Sequence, residues 1–129
     1  MLVKAKWCSV WLLALMLAGC EARLQDHRTV EVDPAGEMVI PLDAQSRERT
    51  LQVTAKAEGG PIDIYVYLSK DDQQAVADIY AKRDGLFLAR EVNVTQANLS
   101  AVIPANEQAT VLLTCASNKP ATVELTLED

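Results

Sequence analysis

Few side chains in this sequence have the chemistry for catalysis or ligand capture. His27 is the sole histidine, so a general base, a nucleophile–histidine pair or an imidazole-bound metal would have to use it. It falls in the polar stretch 21–28, where preorganisation is not expected. Asp63, Asp71, Asp72, Asp78 and Asp84 form an acidic group. Hard oxygen ligands of this kind suit calcium, and Asp63 with Asp84 is the pair available to a carboxylate-only hydrolase. The spacing matches no EF-hand loop, the adjacent Asp71-Asp72 suits a helix start, and Lys70, Lys82 and Arg83 are near enough to neutralise part of the charge. Tyr65 and Tyr67 project on the same side as Asp63. If that side is left uncovered, they make an aromatic face for a protein or a glycan. No glycine-rich phosphate loop occurs. The set does not read as an active site, and it calls for no cofactor and no resident metal.

The three cysteines have separate fates. Cys115, inside the apolar run 110–116, reads as a small buried hydrophobe. Cys8 and Cys20 belong to a different kind of segment. Lys4 and Lys6 precede Trp7 to Ala18, twelve residues of which only Ser9 is polar. A membrane-spanning helix needs about 20 apolar residues, so this run fits a signal-peptide core instead. Charged Glu21, Arg23, Asp26 and Arg28 follow at once, which argues against a span.

The segment closes on Leu17-Ala18-Gly19-Cys20, and in all four positions it resembles the lipobox of bacterial lipoproteins. The resemblance covers residues 1–20 and implies cleavage between Gly19 and Cys20, with diacylglycerol on the Cys20 thiol. Two or three acyl chains, at about 0.8 kcal/mol per buried methylene, anchor a protein durably. Glu21 is not the aspartate that favours inner-membrane retention in such proteins, which points to a periplasm-facing site in the envelope on the outer membrane. The expected organisation is a signal peptide at 1–19, a lipidated cysteine and short tether at 20–28, and one domain at 29–129.

That domain is acidic. Every one of the 18 acidic residues lies after Cys20, against 10 basic ones, a balance of −8. Such a surface repels phosphate backbones, so nucleic acid is excluded as a partner. The same sign disfavours electrostatic docking on anionic lipid.

The elements read as short strands between turn signals. Residues 50–57 and 62–68 alternate apolar and polar around Gly59-Gly60, which predicts a hairpin. Pro41 marks a strand edge or end. Residues 71–85 carry Ala75, Val76, Ile79 and Tyr80 on one helical face, with an aspartate to cap the start and Gly85 to end it. About eight strands with one helical insertion predict an antiparallel β-sandwich of jelly-roll type. The pattern is similar to pre-peptidase C-terminal domains, and also to GOLD-type sandwiches in residues 62–67 and 101–106. This resemblance implies an accessory module that binds without catalysing. The intact mass of the membrane-extracted protein checks the anchor. A chain beginning at Cys20 and heavier by acyl groups is expected; one retaining residues 1–19, or unacylated, contradicts it.

Overall fold

Alternation of apolar and polar residues dictates most of the strands. The computed structural model describes residues 23–129, so the leader and Cys20 lie outside the described residues. Eight strands follow: β1 (Gln25–Val32), β2 (Glu37–Leu42), β3 (Arg49–Glu58), β4 (Ile62–Leu68), β5 (Phe87–Val94), β6 (Gln96–Ile103), β7 (Ala109–Cys115) and β8 (Ala121–Glu128). A 3-10 turn at Ser69–Asp71 leads into one helix, α1 (Asp72–Tyr80). Along β3, every second residue is buried from Arg49 to Ala57.

The strands form two antiparallel four-stranded sheets, ordered β1-β8-β3-β6 and β2-β7-β4-β5. This is the expected β-sandwich, with the strand orders of a jelly roll. Its core lies between the sheets and is made of Val, Leu, Ile and Ala, among them Leu51, Val53, Ile64, Val111 and Leu125. Pro41 stands on the edge strand β2, where its missing N–H costs no ladder bond.

The hairpin expected at Gly59-Gly60 is not one. β3 and β4 belong to different sheets, and the turn is a corner that carries the chain across the core. Alternation marks one buried face on each strand, and that holds equally for neighbours in a sheet and for strands facing across a sandwich. Gly59 suits the corner. Its φ is +96°, and a Cβ there would stand 2.7 Å from the Pro120 carbonyl oxygen.

The first strand begins at Gln25, ahead of the expected Thr29. His27 is therefore in the sheet, paired with Thr126 of β8 and sharing a 2.9 Å hydrogen bond with its hydroxyl. β1 is an edge strand that buries little, so its alternation is faint. The helix ends at Tyr80 rather than at Gly85. Lys82 adopts a left-handed φ of 54°. Its N–H reaches Ile79 O at 3.2 Å, and the Arg83 N–H reaches Asp78 O at 2.9 Å. Those bonds make a Schellman cap with lysine where glycine is usual.

The turn at 33–36, the corner at 59–61, Thr95 and the turn at 116–120 share one end of the sandwich. Loops 43–48 and 104–108 share the other, joined by a 2.6 Å Asn106 N–H to Gln45 O bond. At that second end Leu24 and Asp129 exchange two hydrogen bonds, Leu24 N–H to Asp129 Oδ1 at 2.7 Å and Asp129 N–H to Leu24 O at 3.2 Å. Arg49 Nη1 donates to the same carboxylate at 3.1 Å, and the two side chains are only 4% and 0% exposed. Removing one member of a buried ion pair leaves the other uncompensated. Arg49→Ala should therefore lower stability by about 3 kcal/mol, read as a lower urea midpoint at unchanged slope. A change within error contradicts the clamp.

Candidate functional site

β4 and β7 bury both faces, unlike β3 or β8. Ile62, Ile64 and Val66 point to the main core, while Tyr65 and Tyr67 join Leu112 and Ala75 in a second cluster beneath α1. Val76, Ile79 and Phe87 complete it. Tyr65 and Tyr67 do share a face with Asp63, as their spacing predicts. That face is not an open aromatic strip, because they are only 6% and 0% exposed. The helix covers them. Tyr67 Oη donates to Asp72 Oδ1 at 2.6 Å, tying the helix start to the sheet, and Asp71 makes no side-chain cap bond. Tyr80, expected on the buried helical face, is 69% exposed and donates to Glu37 Oε2 on the edge strand β2 at 3.1 Å.

α1 cannot cover the whole sheet. Nine residues of helix span about 13 Å, whereas the seven residues of β4 run about 23 Å. The half left open is a cleft of about 640 Å³ between the C-terminal end of α1, the 33–36 turn and the strands β4, β5 and β7. Asp63 and Tyr65 from β4, Val92 and Asn93 from β5 and Thr114 from β7 line its floor, and Tyr80, Lys82 and Arg83 its helical wall. Val39, Tyr80, Leu86 and Val92 are large apolar side chains left exposed, and Tyr80 and Val92 line the cleft itself.

Local chemistry sets each lining group. β5 carries a bulge opposite β4 at Asn93, whose φ is 53°, and the Asn93 N–H freed by it donates to Asp63 Oδ1 at 2.7 Å. Asp78 accepts from Gln74 at 2.9 Å and pairs with Arg83 at 3.1 Å. Asp84 pairs with Arg90, whose guanidinium lies 5.7 Å from the Phe87 ring centre; that ring packs 5.1 Å from Tyr65. Burial first, then the Asp63 charge, raises the Tyr65 pKa while Arg90 opposes them, so the phenol stays neutral. The hydrogen bond to Glu37 raises that of Tyr80. Lys82 reaches the cleft from its left-handed cap with no partner among the described residues.

Four of the five aspartates, Asp63, Asp72, Asp78 and Asp84, are thus each held by a different partner. Among the described residues no group of three or more His, Cys, Asp or Glu stands where it could hold a metal ion. Asp63 and Asp84 line one cleft, yet the first is held by a backbone amide and the second by Arg90. His27 lies on the opposite sheet. Cys115 reaches the cleft only half-buried, its Sγ donating to Val32 O at 3.0 Å. Sequence reasoning missed Lys82, Val92 and Asn93, whose roles come from a cap and a bulge that have no glycine to announce them.

No protein-family model matches the chain, and no curated protein matches it in sequence. Solved structures match in fold. The pre-peptidase C-terminal domain of a collagenase from Bacillus anthracis aligns with TM-score 0.61 and 11% identity over 81% of this chain and 89% of its own. PliG of Aeromonas hydrophila, a periplasmic inhibitor of g-type lysozyme, aligns with TM-score 0.52 and 11% identity over 84% and 88%. The Yersinia pseudotuberculosis-derived mitogen aligns with TM-score 0.51 and 9% identity over 81% and 85%. The chain is similar to these as a β-sandwich. Among the described residues no helix is long and apolar enough to cross a membrane.

Burial pushes the Cys115 thiol above its ordinary pKa, and the charges of Asp33 and Asp63 add to that shift. Alkylation of Cys115 in the folded chain should therefore stay slow at neutral pH and rise only above the range where a free thiol, pKa about 8.5, ionises. Peptide mass mapping across pH checks this; rapid labelling at pH 7 contradicts it.

Proposed function

We propose that this chain is an envelope lipoprotein, anchored through Cys20 and periplasm-facing, that presents its β-sandwich as a non-catalytic binding module. The cleft beside α1 is its recognition surface and a protein is its partner. The observation that carries the reading is Lys82. A lysine in left-handed backbone costs on the order of 1 kcal/mol relative to glycine, yet here it sits at the cleft wall with its ammonium unpaired. Strain of that kind is kept where the side chain is used.

The remaining features agree. Exposed Tyr80 and Val92 supply apolar contact, while Asp78–Arg83 and Asp84–Arg90 neutralise each other, so little charge has to be stripped of water on binding. A protein fits better than a glycan, because the one exposed aromatic ring among the described residues, Tyr80, stands alone while Tyr65 is tucked beneath the helix. The structural neighbours lend support from outside the chain, since one is a periplasmic inhibitor of g-type lysozyme. Catalysis has no support in the cleft, where no histidine, activated thiol or facing carboxylate pair is assembled.

Two substitutions separate recognition from folding. Lys82→Gly relieves the backbone, so it should raise stability by about 1 kcal/mol while weakening capture of the partner from detergent-solubilised envelopes. Val92→Glu should weaken capture at unchanged stability, and Thr54→Glu, on the far sheet, should change neither. Undiminished capture by both cleft variants contradicts the assignment.

A further inference from the structure

A second concave site lies at the end of the sandwich where the described chain begins. Arg23 and Leu24 ahead of β1, Asp26 and Arg28 on it, Ile40 to Leu42 at the end of β2, and Asp43, Gln45 and Arg49 beyond it enclose a groove of about 380 Å³. Its lining includes apolar Leu24, Ile40, Pro41 and Leu42, and its rim holds Arg23 and Arg28, two of the chain's six arginines. Arg28 pairs with Asp26, and Arg49 with Asp129. Arg23 is exposed, with no partner among the described residues. Beneath the rim, Arg49 Nε and Gln45 Oε1 are buried with no hydrogen-bond partner, so this end of the fold does not satisfy its own polar groups.

We infer that this groove seats the headgroup of a zwitterionic phospholipid, with its phosphate on Arg23 and Arg28 and its ammonium toward Asp43. The inference rests on the anchor proposed at Cys20. Two residues separate Cys20 from Arg23, a reach of at most about 11 Å over three Cα–Cα steps, and the headgroup layer is roughly 5–7 Å deep on each side of a bilayer. An acylated Cys20 therefore holds the groove against the lipid surface. Charge selects the headgroup. A domain of net −8 is repelled by anionic lipid, whereas a groove that mixes arginines with Asp26 and Asp43 complements a phosphate and an ammonium side by side.

The test compares amide hydrogen exchange of the full membrane-extracted protein in vesicles of phosphatidylethanolamine, of phosphatidylglycerol and of a phosphate-free galactolipid. Amides at 24–28 and 42–45 should exchange about tenfold more slowly in phosphatidylethanolamine than in the other two, as for a site filled at ten times its Kd. Arg23→Glu with Arg28→Glu should abolish the difference and Lys56→Glu, on the exposed face of β3, should leave it intact. Equal exchange in all three vesicles overturns the inference, and so does stronger protection by phosphatidylglycerol. The intact mass of the same samples reports the anchor separately. If the chain is unacylated, phosphoethanolamine in solution replaces the vesicles: slowing confined to the groove retains the site without the anchor, and no slowing rejects it.

Discussion

The outer face of the sheet β2-β7-β4-β5 has to be kept from water, and much of the molecule follows from that. Its two central strands are apolar on both sides, with Ile64 and Val111 turned inward and Tyr65, Tyr67 and Leu112 turned outward. Leaving the outward set exposed would forfeit about 1.5–3 kcal/mol for each large side chain. α1 supplies the cover, and it arises in the β4–β5 link, which alone among the connections of the eight described strands returns to the same sheet. Because the helix is shorter than the strands it protects, it leaves a cleft, and its cap places a strained lysine on the rim. The cleft is thus a by-product of incomplete coverage.

The two ends of the sandwich divide the work. At one, the Leu24–Asp129–Arg49 clamp ties β1, β3 and the end of β8 together beside the start of the described chain, so the domain cannot swing freely on its first strand. At the other lie Gly36, Asn93 and Ala116 of the cleft. The eight residues of β1 separate the ends by about 25 Å. If the chain is held at Cys20, as proposed, the cleft faces away from the lipid surface.

Much of this fold was legible from residue pattern, and the misreadings share a cause. Alternation finds a strand with one wet face, so β3 is plain from residues 50–57, as is an edge or end position for Pro41. Alternation does not say which sheet a strand joins, hence the corner at Gly59 read as a hairpin. An edge strand that buries little is nearly silent, so His27 was assigned to a tether. The helix was visible from Ala75, Val76 and Ile79, but its end was sought at a glycine while Lys82 took the left-handed cap. Tyr65 and Tyr67 were correctly placed on one face; that the helix itself would cover them is a tertiary fact that no local spacing carries. Lys82, Val92 and Asn93 were missed because a cap, a bulge and partial cover assemble them.

The central claim is that the cleft beside α1 recognises a protein partner. A photoreactive residue placed at Val92 or Tyr80, and for comparison at Thr54 or Asn98 on the opposite sheet, tests it in intact cells. The account predicts one discrete cross-linked protein from the two cleft positions and none from the two distant ones. Adducts from the distant sheet alone, or silence from the cleft, would contradict it.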